Sequence, residues 1–406
     1  MAGIRGLERW AILAAAVFVA ACGSSGTASH TPPPVLDTAQ ATSTALPTPP
    51  ATLDQAWPGQ SLAPGVTVVD AANIIQRLDW SPNGQLLAVL TWGGEWGTGR
   101  VDVLDLFGRR VASFDAFDMA WVDDTHLMTL VVSPNDTAHG TVTVYSIDGT
   151  ESSLVPGTFG GMLGNGHGSV ALIAPVAASD DPANESFQIW SNGQLGPSIA
   201  GFGQPVRWST DGRLLALVRE STTGGGANGV GGPIPGTLSV LKPPERAAIL
   251  SRPLADIRGL DVSFSPDGTR LARSDGVVLN LADGSSTQLT GRPEGWISTG
   301  PLVVVGQDHR VSLWTRAGTT VVPNAFEWAV FGPNEGDIVT LPAADENLIF
   351  PVTAVVRRAG GAVSIPLNVG LSMAAWSSGG VCFIATGTAD AQLEDNRLLR
   401  IELPDS

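Results

Sequence analysis

Lysine is almost missing from this chain: Lys242 is the only one in 406 residues. Lys and Arg together number 22 against 38 Asp and Glu, which sets the formal charge at −16. That balance argues against nucleic acid as a partner, because phosphates need cations facing them. It also argues against docking on anionic lipid through the protein surface. Histidine is scarce, with five residues, His30, His126, His139, His167 and His309. None are spaced as H-x-H or H-E-x-x-H, so no metal site is indicated. His126, in "DDTH", and His309, in "QDHR", read as solvated turn residues. Cysteine occurs twice, at Cys22 and Cys382. Cys382 sits in an apolar run with no His or Lys near it in sequence, and reads as a small buried hydrophobe. No G-x-S-x-G elbow is present, so no hydrolase nucleophile of that type is expected. No catalytic residue and no cofactor is assigned.

What the chain has is a repeated box. "VSFSPDGTRLA" at 262–272 places two short apolar runs around Ser-Pro-Asp-Gly, which reads as a β-hairpin. "LDWSPNGQLLAVL" (78–90) and "VRWSTDGRLLALV" (206–218) repeat it with Trp80 and Trp208 in the aromatic slot. Weaker copies are "MAWVDDTHLMTLVV" (119–132), "FEWAVFGPNEGDIVTL" (326–341) and "MAAWSSGGVCFIATG" (373–387). The weakest are "GMLGNGHGSVALIA" (161–174) and "GWISTGPLVVVG" (295–306). The mean spacing is about 42 residues, the period of four-stranded propeller blades. A second hairpin follows several boxes, as in "GVVLNL", "ADGS", "STQLTG". Each repeat is therefore read as four strands, A to D, with tight A–B and C–D turns.

"FSPDGTRLA" followed by "NLADGSSTQLT" resembles the WD40-like repeat of TolB-type propellers. As an architecture the resemblance covers roughly residues 62–406, with three sharp copies. It implies an all-β, closed propeller of four-stranded antiparallel blades and says little about function. The chain departs from true WD40 repeats, since no Gly-His opener is followed by a closing Trp-Asp pair. Prolyl-oligopeptidase-type enzymes carry a similar propeller beside a hydrolase domain; here the propeller is expected to stand alone. The boxes also differ from sialidase Asp-boxes, and the adjacent Cys pair of quinoprotein dehydrogenases is lacking.

Eight blades are expected, with seven as the alternative. The last copy ends in "VCFIATG" and "RLLRIEL" and lacks a fourth strand. "GVTVVDA" at 65–71 precedes the first box and has no other assignment. An open ring leaves a strand edge unpaired, so Val66–Val69 is expected to complete the last blade.

Residues 1–21 read as a lipoprotein signal peptide: Arg5 and Arg9, the apolar run Trp10–Ala21, then "VAAC", which resembles a bacterial lipobox with Cys22 as the acylated residue. An ordinary signal peptide with an incidental cysteine is the other reading. Removing Arg5, Glu8 and Arg9 makes the remainder one unit more negative. Residues 22–57, rich in Ser, Thr, Pro and Ala, have no apolar periodicity and are expected to form a disordered tether. As a flexible coil they would reach about 30–35 Å. Residues 58–406 form the propeller domain.

The insertions fall almost always between strands B and C, for example "TWGGEWGTG" (91–99), "ASDDPANES" (178–186), "PAADENLIF" (342–350) and "TADAQLEDN" (388–396). "ESTTGGGANGVGGPIPG" (220–236) is another, glycine-rich but without a phosphate-loop ending. Insertions on one face of a repeat protein mark a binding face. The candidate face comprises Trp92, Glu95, Trp96, Asp180, Asp181, Glu185, Asp345, Glu346, Glu394 and Asp395. Loops that only confer solubility, with both tryptophans folded back on the rim, are the competing arrangement. The reading is a lipid-anchored, extracytoplasmic propeller in the cell envelope, attached to the membrane through Cys22, that binds a basic protein or peptide as a scaffold. The alternatives are an enzyme, a lyase or hydrolase working in the central channel, and an accessory subunit of an envelope complex or sensor kinase. Ionisable groups converging on the channel with shifted pKa values would favour the enzyme.

Overall fold

The computed structural model describes residues 59, 61–63, 65–71, 74–92, 99–133, 136–150, 152–175, 185–221, 233–333, 337–341, 352–358, 361–367, 371–377, 379–386 and 397–402. Among them there is no helix. The strands form eight four-stranded antiparallel blades in a ring.

Blade 1 is Ile74–Trp80, Leu86–Trp92, Gly99–Asp105 and Arg110–Asp115. Blade 2 is Asp118–Trp121, His126–Ser133, Asp136–Ser146 and Ser152–Phe159. Blade 3 is Gly161–Gly164, Ser169–Ile173 and Ser186–Ser191, with a broken outer strand, Gln194–Leu195 and Ile199–Ala200. Blade 4 is Gln204–Trp208, Leu215–Glu220, Gly236–Leu241 and Ala248–Leu254. Blade 5, built on the box at 262–272, is Val262–Phe264, Arg270–Arg273, Val277–Asn280 and Ser286–Gln288. Blade 6 opens with Gly291–Trp296, Leu302–Gly306 and Arg310–Thr315. Its outer strand runs on without a break as Gly318–Phe331 and becomes the inner strand of blade 7. Blade 7 continues with Ile338–Leu341, Val352–Arg358 and Gly361–Leu367. Blade 8 is Leu371–Trp376, Cys382–Thr386 and Arg397–Ile401.

The fourth strand of blade 8 comes from the other end of the chain. Val66–Ala71 pairs antiparallel with Arg397–Ile401, from Val66 opposite Ile401 to Ala71 opposite Arg397. Ser61–Ala63 adds a fifth strand outside it. Val66 and Val68 are 1% exposed, so closure also buries apolar surface.

Each box has a chemical reason. Ser81, Ser209 and Ser265 are buried at the start of their A–B turns. Each hydroxyl donates to the turn carboxylate or amide two residues on, Asn83, Asp211 or Asp267. Each also accepts from the backbone N–H five residues on, that of Leu86, Leu214 or Arg270, at 2.9–3.0 Å. One serine thus serves both sides of the turn. The following glycine takes a left-handed φ, +68° at Gly84, where a side chain is strained.

The core is not one mass. It divides into eight clusters, one at every seam between neighbouring blades. In blade 1, Leu87 and Val89 pack against blade 8, while Ala88 and Leu90 pack against blade 2. A strand buried on both faces needs a continuous apolar run, and "LLAVL" supplies it.

The tryptophans of the aromatic slot add a second layer of order. Trp121, Trp208, Trp296 and Trp376 belong to blades 2, 4, 6 and 8. Each indole N–H donates to an inner-strand carbonyl of the preceding blade: Asp79, Leu163, Ser263 and Val330, at 2.9–3.3 Å. The odd blades hold Trp80, Gly164, Phe264 and Phe331 at that position. Trp80 Nε1 is buried without a hydrogen-bond partner among the described residues, and its ring packs edge-on against Phe383 at 5.7 Å. The ring is therefore four blade pairs, each joined internally by an indole hydrogen bond.

Candidate functional site

Two regions merit description: the loop face read from the sequence, and the ring axis.

Of the ten residues assigned to the loop face, the described residues include Trp92 and Glu185. Trp92 ends the second strand of blade 1 and is half-buried, opposite Ile74 and Gly99. Glu185 accepts a hydrogen bond from Gln204 Nε2 at 3.0 Å. Glu95, Trp96, Asp180, Asp181, Asp345, Glu346, Glu394 and Asp395 lie outside the described residues, as do the signal segment, Cys22 and the tether. The strand ends that flank these segments, such as Trp92 and Gly99 or Thr386 and Arg397, share one face of the ring, because B–C links in antiparallel blades always leave from the same side.

The axis carries a charged set that the motif reading did not single out. The first strand of each blade is innermost. Arg77 of blade 1 reaches into blade 2, where its Nη1 lies 2.9 Å from Asp118 Oδ1. It also donates to the Met119 carbonyl. Asp118 in turn accepts from its own neighbour's amide, Met119 N at 2.8 Å, and from Met162 N of blade 3 at 3.1 Å. One carboxylate thus ties three blades. Arg207 of blade 4 repeats the device towards blade 5. Its Nη2 lies 3.3 Å from Asp261 Oδ1, and its Nε donates to the Val262 carbonyl at 3.1 Å. Asp261 Oδ1 accepts from Val262 N at 2.8 Å. In blade 6, Arg292 pairs with Glu294 at 2.7 Å.

Asp79 completes the set. Its side chain is 45% exposed. Partial desolvation by the surrounding strands raises its pKa, against the opposing pull of Arg77 and Arg207. Burial likewise raises Asp118, opposed by Arg77 and by its two amide donors. Burial raises Glu294, opposed by Arg292 and reinforced by the like charge of Asp261. The signal in the sequence was an ionisable residue within an otherwise apolar inner strand: "RLDW", "FDMAW", "VRW", "LDVSF", "RPEGW". In two blades the aspartate stands three residues before the aromatic slot, Asp118 before Trp121 and Asp261 before Phe264.

Other groups are accounted for locally. Cys382 is fully buried, and burial together with Asp337 pushes its thiol well up, away from the reactive thiolate. His126 Nδ1 lies 3.1 Å from both Asp123 oxygens in its turn. His309 occupies a left-handed turn position. Among the described residues no three His, Cys, Asp or Glu side chains converge as a metal site would require.

Comparison with solved structures agrees with the architecture. The C-terminal WD40 domain of Sif2 superposes with a TM-score of 0.50 at 11% identity, over 83% of this chain and 98% of that one. A structure described as the eukaryotic initiation factor gives a TM-score of 0.48 at 12% identity, over 80% of this chain and 84% of that one. The first of these similarities shows a WD40-like β-propeller fold and stops there. No protein-family model matches the chain, and no curated protein matches it by sequence.

Proposed function

We propose that the protein is a lipid-anchored, extracytoplasmic β-propeller of the cell envelope that works as a binding scaffold for a basic protein or peptide. The observation that carries the binding role is the asymmetry of the ring. Several A–B turns are tight and capped by a serine hydroxyl, whereas the long, acidic insertions of the sequence lie almost always between strands B and C. A partner steered by such a surface carries positive charge. Anchoring rests on the sequence "VAAC" at 19–22 after an apolar run, with residues 22–57 as the tether. A strongly acidic surface leaves membrane attachment to the lipid.

The charged axis favours a second reading, a channel that binds or transforms a small substrate. Against it, Arg77, Arg207 and Arg292 are each paired with a carboxylate of the ring, so these groups act first as struts between and within blades.

One experiment separates the two. The full chain is used to capture partners from envelope extract, in parallel with Trp92→Ala/Trp96→Ala and Asp79→Asn variants. Capture of a basic protein that is lost in the tryptophan variant and kept in Asp79→Asn supports the scaffold. The reverse pattern moves the function to the channel. For the anchor, Cys22→Ala should release the protein from washed membranes; a variant that stays bound and is processed at the same site overturns the lipobox reading.

A further inference from the structure

Asparagine or aspartate followed by glycine is a chemically reactive pair in water. The glycine nitrogen can attack the side-chain carbonyl carbon of the residue before it, since glycine has no side chain to screen its amide. Eight such pairs lie among the described residues. They make the same turns, and the fold treats one of them differently from the rest.

Seven are held by hydrogen bonds. In six, the side-chain oxygen accepts the backbone N–H two residues on: Gln85 to Asn83, Thr150 to Asp148, His167 to Asn165, Arg213 to Asp211, Thr269 to Asp267 and Ser285 to Asp283, at 2.8–3.1 Å. In the seventh, Arg273 Nε donates to Asp275 at 3.0 Å. The two asparagines of this group are tied further. Asn83 Oδ1 also accepts from the Ser81 hydroxyl at 2.9 Å. Gly84 is buried, and its N–H donates to the Ser81 carbonyl at 2.7 Å. Asn165 Oδ1 also accepts from Ser169 N at 2.9 Å, and its Nδ2 donates to the Gly212 carbonyl at 3.1 Å. Turning either side chain onto the next nitrogen breaks these bonds first.

Asn192–Gly193 is the exception. It is the two-residue turn of blade 3 between Ser186–Ser191 and Gln194–Leu195, with Ser191 opposite Gln194. Both turn residues are exposed and left-handed, at φ +51° and +76°. Among the described residues neither the Asn192 side chain nor the Gly193 N–H makes a hydrogen bond. A Cβ at Gly193 would meet nothing within 4 Å, so no neighbouring atom crowds the nitrogen's own residue.

We propose that Asn192 is a covalent modification site, converted through a succinimide to aspartate and isoaspartate. Gly193 N gives up its proton and bonds to Asn192 Cγ, and the Cγ–Nδ2 bond breaks to release ammonia. Water then opens the ring. Addition at Cγ restores the ordinary peptide bond and leaves aspartate; addition at the backbone carbonyl carbon leaves the chain linked through the side chain, as isoaspartate. Water enters and ammonia leaves, with no oxidant, reductant or cofactor. Either product adds a negative charge to a chain already at −16. Isoaspartate also lengthens the main chain by one atom within the turn. The strand beyond it is registered only through Gln194 and Leu195, opposite Ser191 and Trp190, so it has little to hold it once the turn is misfitted. The proposal does not draw on the scaffold reading.

The test is site-resolved peptide mapping by mass spectrometry. The full chain is held folded at mildly alkaline pH in isotope-labelled water, beside a sample unfolded in urea. Label enters a residue only when it converts. In the folded chain Asn192 should convert more than about tenfold faster than Asn83 or Asn165, the factor set by the hydrogen bonds those two must lose. In urea the three rates should converge. The isoaspartate fraction should exchange the Gln194 and Leu195 amides with solvent faster than the parent. The proposal is overturned if Asn192 stays unlabelled, if the three convert alike in the folded chain, or if the lead of Asn192 persists unchanged in urea. Unchanged exchange at Gln194 and Leu195 in the isoaspartate fraction overturns the release of the outer strand.

Discussion

The indole N–H of Trp208 donates to the carbonyl of Leu163, 2.9 Å away, across the seam between blades 3 and 4. The same bond joins Trp121 to Asp79, Trp296 to Ser263 and Trp376 to Val330. Trp208→Phe keeps most of the apolar volume and leaves the Leu163 carbonyl unpaired. It should cost about 1–2 kcal/mol in denaturant unfolding. Trp80→Phe, at a seam where the indole is unpaired, should cost less than half as much. Equal losses at the two positions would remove the distinction between paired and unpaired seams.

Deleting residues 1–72 should destabilise the ring far more than deleting residues 1–57. The longer deletion removes Val66–Ala71, exposes the backbone edge of Arg397–Ile401 and uncovers the cluster that holds Val66 and Val68. A melting temperature lowered by more than 10 °C, or aggregation, is expected for the longer deletion alone. Equal melting temperatures would show that the ring does not depend on this strand.

Asp118→Ala should lower stability by about 2 kcal/mol or more, because it strands Arg77 and two amides on the inner strands. Asn at this position keeps one acceptor and should recover part of the loss. Chemical denaturation of the three proteins at neutral pH checks the order.

Acid should act on two sets of carboxylates in opposite directions. Asp148 is held at about 2, first by the Ser146 hydroxyl and then by the Thr150 amide and hydroxyl. Its pKa lies below the unfolded value, so its contribution is present above pH 3.8 and is lost as pH falls towards about 2. Asp79 is raised by burial, so its contribution is largest below its unfolded value and is lost as pH rises through its folded pKa. Asp148→Asn should therefore flatten the loss of melting temperature below pH 4. Asp79→Asn should gain on the parent as pH rises above 4. Parallel curves for all three proteins would contradict both assignments.

Partner binding at the B–C face should weaken as salt rises, since exposed charges are screened over about 8–10 Å at 0.1–0.15 M. Trp96→Ala should weaken it further without lowering the melting temperature, and Trp92→Ala should weaken it while also lowering stability, because Trp92 is half-buried on a strand of blade 1. An affinity indifferent to salt and to both substitutions places the partner elsewhere on the ring.

Local chemistry was legible in the chain. The Ser-x-Asp-Gly boxes are turns that close on themselves through a hydroxyl, a carboxylate and a left-handed glycine within six residues, so their sequence announces them. The apolar B strands were legible for the same kind of reason: burial on both faces leaves no polar position to blur the pattern. The missing strand of blade 8 followed from counting, because an edge in a ring has to be filled by whatever segment is left over. The number of blades was harder to read, since blades 6 and 7 share the continuous strand Gly318–Phe331 and leave no turn between them.

The charged axis belongs to the tertiary structure alone. Arg77 and Asp118 are 41 residues apart, and Met162 is 44 beyond Asp118. Each looks unremarkable in its own strand, and they meet only because the ring turns successive inner strands towards one axis. Sequence encodes which segments pair and turn, because those interactions close within one hairpin. Which side chains face each other across a seam depends on how far each blade rotates against the next, a sum of packing over whole blades that no short stretch of residues contains.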